Sequence, residues 1–315
     1  MIVKGVPPIL IFWKGFKLAK KKLPMYTNKL GRKGYPLPAR IAILLYLELY
    51  HLTPERGYKE MELKAIYKKL GLRQMPSVKS IYRWRKKLAS IAHRLLRETF
   101  YLVYKRMGIK ALTVIADGSG VKKGRGTQYY EWRLETFKRK RRRGRRRRSR
   151  RKRRRKKKRP RKKFVRVVMS YTPEIDMIFE VTATPSSTGE LKAFENGHLP
   201  DIISAEIFNR FIADKLYDSE PLIRKLKDAG IDVHIPAREG KLEPKPGTLR
   251  YIANWNYERL KRNKHLRSLV ESAYSSFKSR ALPYLTNRSW ESCETTIVLW
   301  GLIFNLARLC EVGIL

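Results

Sequence analysis

Three acidic residues have settings that suit metal-dependent chemistry on phosphate esters. Asp117 ends the apolar run 112–116, and Asp214 ends the apolar run 211–213. Glu271 lies inside a later helical pattern. Carboxylates at two strand ends and on one helix can hold a pair of divalent cations, which drives in-line attack on a phosphodiester. We therefore interpret these three residues as candidate catalytic and metal-binding residues.

The helix that carries Glu271 also presents two cations on the same face. At about 100° per residue, Arg267, Glu271 and Lys278 fall within roughly 40° of one another around the helix axis. The functional interpretation is a carboxylate flanked by two cations that hold the phosphate backbone. The alternative is an ordinary ion pair between Arg267 and Glu271 on a solvated helix. Asp218 competes with Asp214 as the second acid, but it lies past the strand end, where it could cap the next helix.

The composition of the chain indicates a polyanionic partner. The 315 residues carry a formal net charge of +46, and 43% of them are hydrophobic, enough to build a core. The longest apolar run, 297–304, is too short to span a bilayer, and no signal-peptide pattern is evident. The two cysteines form no C-x-x-C motif. We expect a cytoplasmic protein without membrane contact, disulfides or structural zinc.

The chain divides into three parts by composition and periodicity. Residues 1–36 are basic and contain Gly and Pro, so we expect a flexible arm. Residues 37–108 have helical periodicity, with a helix over 39–49, a second that runs from Pro54 to a stop at Gly71, and a third that begins at Ser77 and continues past residue 88. We expect residues 109–315 to form the catalytic domain.

The third helix of the N-terminal part has a basic face. The expected exposed cations are Lys79, Arg83, Arg85, Lys86 and Lys87. A helix, a turn with Gly71 and a basic helix could form a helix-turn-helix that binds DNA. The alternative is a plain helical bundle with a solvated basic face.

The pattern after residue 110 predicts an α/β domain. We expect strands over 111–117, 164–171, 177–184, 209–214 and 232–236, and helices over 200–208, 220–229, 293–309 and around Glu271. Three strands come first, and helices then alternate with strands. This order predicts a mixed sheet flanked by helices.

Between the first two strands lies a segment of extreme charge. Of the 26 residues in 138–163, all but Gly144, Ser149 and Pro160 are Lys or Arg. So dense a run cannot bury a core, and we expect it to be disordered in isolation. It is either a phosphate-binding arm or a solvated insertion in a hairpin loop.

Taken together, these motifs resemble the DDE insertion-sequence transposases. The third-acid helix of that family often has a tyrosine, then Arg, Glu and Lys at the spacing of Arg267, Glu271 and Lys278, whereas Lys264 stands at the tyrosine position here. Trp255 and Tyr257 are candidates to replace the tyrosine in stacking. The segment 213–218, Ala-Asp-Lys-Leu-Tyr-Asp, is similar to the second-acid motif, and Asp-Gly-Ser-Gly at 117–120 is similar to the first-acid motif.

The resemblance implies an RNase H-like catalytic domain behind a helical DNA-binding domain. It implies an endonuclease and strand transferase for transposition, with two Mg²⁺ ions that Mn²⁺ can replace. The expected partners are double-stranded DNA, as transposon ends and target, and a second copy of the chain, at the nucleoid. The alternatives are a nuclease of the same fold without strand transfer and a non-catalytic, domesticated nucleic-acid-binding protein.

Overall fold

The structure, a computed structural model, describes most of the chain outside the basic insertion. The described residues are 6–26, 34–122, 164–185, 187–238, 244–259, 261–280, 285, 287 and 289–314. Within 261–280 the backbone is described, but the side chains of 261–264, 267 and 278–280 are not. The predicted disordered arm at 138–163 lies outside the described residues.

The N-terminal part is helical, as predicted. Its helices are α1 (Pro8–Lys22), α2 (Leu37–Leu49), α3 (Pro54–Leu63), α4 (Ile66–Lys69), α5 (Val78–Lys87) and α6 (Ala89–Met107). Two of the predicted helices are broken. Ala65 adopts a left-handed conformation (φ 50°) between α3 and α4, and Leu88 leaves the helical region (φ −103°, ψ 13°) between α5 and α6.

The segment expected to be a flexible arm contains a packed helix instead. Ile11, Phe12 and Leu18 of α1 are at most 2% exposed. Together with Gly15 and Ala19 they form one apolar stripe at helical spacing. Pro8 occupies the first turn, where proline is well tolerated. The lysines of α1 lie on the other faces of the helix. Because they are numerous, the composition suggested a flexible arm although the apolar residues have helical spacing.

Among the described residues, the sheet has five strands in mixed order. They are β1 (Leu112–Lys122), β2 (Phe164–Thr172), β3 (Met177–Pro185), β4 (Phe208–Ala213) and β5 (Asp232–His234), in the spatial order β3-β2-β1-β4-β5. β1 and β2 are antiparallel, as are β2 and β3, whereas β4 is parallel to both β1 and β5. The predicted mixed sheet flanked by helices is confirmed.

Six further helices accompany the sheet in the described part of the chain. They are α7 (Glu190–Gly197), α8 (Leu199–Ala205), α9 (Glu220–Asp228), α10 (Leu249–Arg259), α11 (Lys261–Arg280) and α12 (Trp290–Glu311). The sequence predicted α8, α9, α11 and α12 but not α7 or α10. A short 3-10 turn at Lys215–Tyr217 follows β4.

Helix α12 joins the N-terminal helices to the sheet. It packs against α6, β3, α5, α1 and α2. Asn305 on α12 accepts a hydrogen bond from Ile178 N (2.9 Å) and donates one to Ile178 O (2.8 Å). α12 is long and apolar enough to cross a membrane, but 83% of its apolar window is buried inside the protein. Residue 108 therefore marks a change of secondary structure and not a break in packing.

Candidate active site

Asp117 and Asp214 follow directly on paired residues of two neighbouring parallel strands. Ala116 on β1 pairs with Ala213 on β4, and the pairing of these strands ends there. β1 then continues to Lys122 against β2 and does not end at Asp117, as the sequence had suggested. Both aspartates are partly exposed. The parallel register therefore places Asp117 and Asp214 on neighbouring strands at the carboxyl edge of the β1–β4 pairing.

Asp214 and its competitor Asp218 have different surroundings. Asp214 caps the 3-10 turn, because its Oδ1 accepts a hydrogen bond from Leu216 N (2.7 Å). Asp218 is buried and receives two hydrogen bonds from the Arg250 guanidinium, Nε to Oδ1 (2.7 Å) and Nη2 to Oδ2 (2.6 Å). Arg238 N also donates to Asp218 Oδ2 (3.0 Å). Both carboxylate oxygens of Asp218 are therefore occupied by hydrogen bonds within the protein, and this supports Asp214 as the second acid.

A third carboxylate reaches this edge from a helix that the sequence analysis missed. Glu190 lies in the first turn of α7 and is 8% exposed. Its carboxyl group lies over Gly118, so closely that a Cβ atom added to Gly118 would be 2.0 Å from Glu190 Cδ. Arg166 on β2 donates to Glu190 Oε2 (Nη1–Oε2, 3.2 Å). The sequence offered one indication of this residue, an acidic side chain in the first turn of the helix that follows β3.

The carboxylates perturb the groups around them. Burial raises the pKa of Glu190, and the negative charges of Asp214 and Asp117 raise it further, whereas the Tyr217 hydroxyl and the positive charge of Arg166 lower it. Burial also raises the pKa of Tyr217 well above its usual value, with Glu190 as the next cause. Repulsion between nearby carboxylates is the electrostatic condition that a bound cation relieves.

Helix α11 is fixed to the same edge by Tyr274. The Tyr274 hydroxyl donates to Asp117 O at 2.7 Å, and Val167 O lies 3.3 Å from it. Glu271 precedes Tyr274 by three residues, which is close to one helical turn, and is exposed. The structure therefore brings α11 to Asp117 and leaves the Glu271 side chain in solvent. The side chains of Arg267 and Lys278 lie outside the described residues.

The oxygen-rich edge suits a hard divalent cation chemically. Among the described residues, no three acidic, histidine or cysteine side chains converge on one point closely enough to ligate an ion as they stand. Two neighbouring buried oxygens nevertheless lack a hydrogen bond of ordinary geometry there, Glu190 Oε1 and the Tyr217 hydroxyl. Mg²⁺ prefers carboxylate oxygens and keeps several waters, so it does not require a closed protein cage.

Helix α10 and helix α5 carry the remaining candidate DNA contacts. Trp255 on α10 is 48% exposed, and the Arg259 guanidinium lies 4.7 Å from its ring centroid. Arg83, Lys86 and Lys87 on α5 are exposed, as predicted.

The sequence interpretation of Arg85 was wrong in one respect. Arg85 is buried, and its Nη2 lies 2.5 Å from Oε1 of the buried Glu48 on α2. Glu48 also accepts hydrogen bonds from Trp300 Nε1 (3.0 Å) and Thr296 Oγ1 (3.3 Å) on α12. The guanidinium joins helices inside the bundle, so it does not belong to the exposed basic face.

Comparisons with known proteins do not identify a family. No protein-family model matches the chain, and no curated protein or solved structure matches it.

Proposed function

We propose that this protein is a metal-dependent DNA transposase with an RNase H-like catalytic domain. The observation that carries the proposal is the pairing of Ala116 with Ala213, which sets Asp117 beside Asp214 at one sheet edge. The docking of α11 on Asp117 through Tyr274 adds the helix that carries Glu271. The five-stranded mixed sheet is compatible with this fold, and the net charge of +46 suits a DNA substrate.

In this proposal the chain's own residues position the reacting groups. Asp117 and Asp214 hold the metal ions, and Glu271 completes the set. A pair of Mg²⁺ or Mn²⁺ ions, when bound, activates water or a DNA 3′-hydroxyl and stabilises the leaving oxygen. Arg267 and Lys278 hold the phosphates next to the scissile bond, because they share a helix face with Glu271.

Other basic and aromatic groups orient the DNA around this edge. Arg83, Lys86 and Lys87 on α5 contact backbone phosphates, which raises affinity without selecting a sequence. Trp255, with Arg259 beside its ring, offers an exposed face on which a base can stack. Two copies of the chain act together on paired DNA ends.

The proposal is tested with purified full-length protein and a plasmid that carries the DNA flanking its gene. In Mg²⁺ we expect cleavage at the ends of that DNA and joining of the freed 3′-hydroxyl ends to a target plasmid. In EDTA we expect binding without cleavage. Cleavage without joining would identify a nuclease, whereas equal binding in both buffers without any cleavage would identify a non-catalytic DNA-binding protein.

A further inference from the structure

The contact between Gly118 and Glu190 requires the absence of a side chain at residue 118. A Cβ atom there would lie 2.0 Å from Glu190 Cδ, 2.2 Å from Oε2 and 2.4 Å from Oε1. Gly118 is not among the glycines with positive φ, so its backbone conformation is open to any residue. The glycine is therefore needed for space, and the space is filled by a carboxyl group.

Only one of the two oxygens of the Glu190 carboxyl group has a well-formed hydrogen bond. Glu190 Oε2 is paired with Arg166, while Glu190 Oε1 is buried without a hydrogen bond of ordinary geometry in the described part of the chain. The Tyr217 hydroxyl is close enough to favour the ionised carboxylate, but it too lacks a hydrogen bond of ordinary geometry. An unpaired buried oxygen costs free energy, and the cost is larger for a charged group. The structure nevertheless keeps this carboxyl group near Asp117 and Asp214, whose negative charges repel it.

We propose that Glu190 is a further ligand of the divalent cation held by Asp117 and Asp214. This inference rests on the proposed metal-dependent function and extends its ligand set to a residue on α7. The unpaired Oε1 is the atom that binds the ion, and Arg166 keeps the other oxygen. The three carboxylates do not converge in the structure, so the proposal requires the two partly exposed aspartates to turn toward Glu190. Gly118 is the position that admits Glu190 to the site.

A purely structural role for Glu190 makes a different prediction. If the carboxylate served only to pair with Arg166, its loss would lower stability and leave the affinity for cations unchanged. If it is a ligand, its loss weakens cation binding, whereas loss of the positive charge of Arg166 strengthens binding. The two variants therefore shift metal affinity in opposite directions only when Glu190 binds the ion and Arg166 competes with it.

The experiment measures Mn²⁺ binding to the full-length protein without DNA, by the loss of the electron paramagnetic resonance signal of free Mn²⁺. We expect Glu190→Gln to weaken binding by at least about tenfold and Arg166→Gln to tighten it. Gly118→Ala leaves Glu190 chemically intact but pushes its carboxyl group away, so we expect weaker binding there also. Glu195→Gln on the same helix removes the same charge farther from the site and is the matched control.

The outcomes separate this inference from the proposed function. If the wild type binds Mn²⁺ and both Glu190→Gln and Gly118→Ala bind it equally well, Glu190 is not a ligand, while the proposed function stands. If the wild type binds no Mn²⁺, both are overturned. If Glu190→Gln fails to fold, Gly118→Ala decides alone: unchanged affinity in that variant overturns the inference, and weakened affinity supports it.

Discussion

The Tyr274 hydroxyl donates a hydrogen bond to the backbone carbonyl of Asp117 over 2.7 Å. This bond joins α11 to the strand that carries the first candidate acid, across 157 positions of the chain. Tyr274 is buried, and burial raises its pKa well above the usual value, so the hydroxyl stays protonated and remains a donor. Glu271 is thereby held within about one helical turn of a residue that contacts Asp117.

Removal of this hydroxyl should impair cleavage more than stability. Tyr274→Phe leaves the ring in place and deletes a bond worth about 1 kcal/mol. A small displacement of α11 relative to Asp117 lowers the single-turnover cleavage rate on the order of tenfold or more. Tyr251→Phe on the exposed face of α10 is the control. Equal rates for Tyr274→Phe and the wild type would show that the bond does not position the site.

The two neighbouring aspartates should differ in what their loss changes. Asp218 is buried and bound to the partly exposed Arg250, so Asp218→Ala removes a bidentate ion pair and the hydrogen bond from Arg238 N and costs on the order of 2 kcal/mol of unfolding free energy. Asp214 is partly exposed, so Asp214→Asn should change stability little and abolish Mg²⁺-dependent cleavage. Denaturant unfolding and cleavage assays on both variants check this. The reverse pattern would assign the second acid to Asp218.

Substitutions of the buried and of the exposed cations of α5 should differ in how much stability they cost. Arg85→Ala leaves Glu48 buried without its guanidinium and should cost about 3–5 kcal/mol of unfolding free energy. Arg83→Ala, Lys86→Ala and Lys87→Ala should each change stability by no more than about 0.5 kcal/mol.

Salt titration then tests whether the exposed α5 cations reach DNA. Each lost phosphate contact makes the dependence of log affinity on log salt shallower by about 0.9. If all three exposed variants keep the wild-type slope, the basic face is merely solvated.

His93 should make stability depend on pH above neutrality. Burial alone lowers the pKa of His93, but its contacts with Glu180 and Glu294 outweigh burial and raise it to about 9. In the unfolded chain the pKa is about 6.5. The stabilisation is therefore complete below about pH 6.5 and is lost as pH rises through about 9, on the order of a few kcal/mol.

The measurement for His93 is the unfolding free energy of wild type and His93→Gln between pH 6 and pH 10. The variant should show a flatter profile over this interval, because it has no imidazole to lose its proton. Parallel profiles for the two proteins would assign the pH dependence to other groups.

The sequence predicted the parts of the fold that depend on local pattern. Apolar runs located all five strands, although β1 extends five residues beyond its predicted end. Thr53 and Ser77 cap the predicted helix starts, because they accept hydrogen bonds from Arg56 N and Ser80 N. The two aspartates could be placed because each directly follows an apolar run, and β1 and β4 are neighbours in the sheet.

The features that the sequence did not predict depend on contacts between distant residues. Glu190 joins the site through Gly118, which lies 72 positions earlier, and no local pattern marks that contact. Arg85 resembles its exposed basic neighbours until its partner Glu48, 37 positions away, is known. Helix α1 was not predicted, because the segment contains many lysines and only a short apolar stripe. Local propensity therefore located the elements, while tertiary pairing decided which charged groups were buried.

The central claim is that Asp117 and Asp214 together carry metal-dependent cleavage of DNA. The most direct measurement is the single-turnover rate in Mg²⁺ at saturating DNA for the wild type, Asp117→Asn and Asp214→Asn. We predict that both substitutions reduce cleavage to the background rate while DNA affinity stays equal or rises, because each removes one negative charge. A near-normal rate in either variant, with DNA binding intact, would contradict the claim.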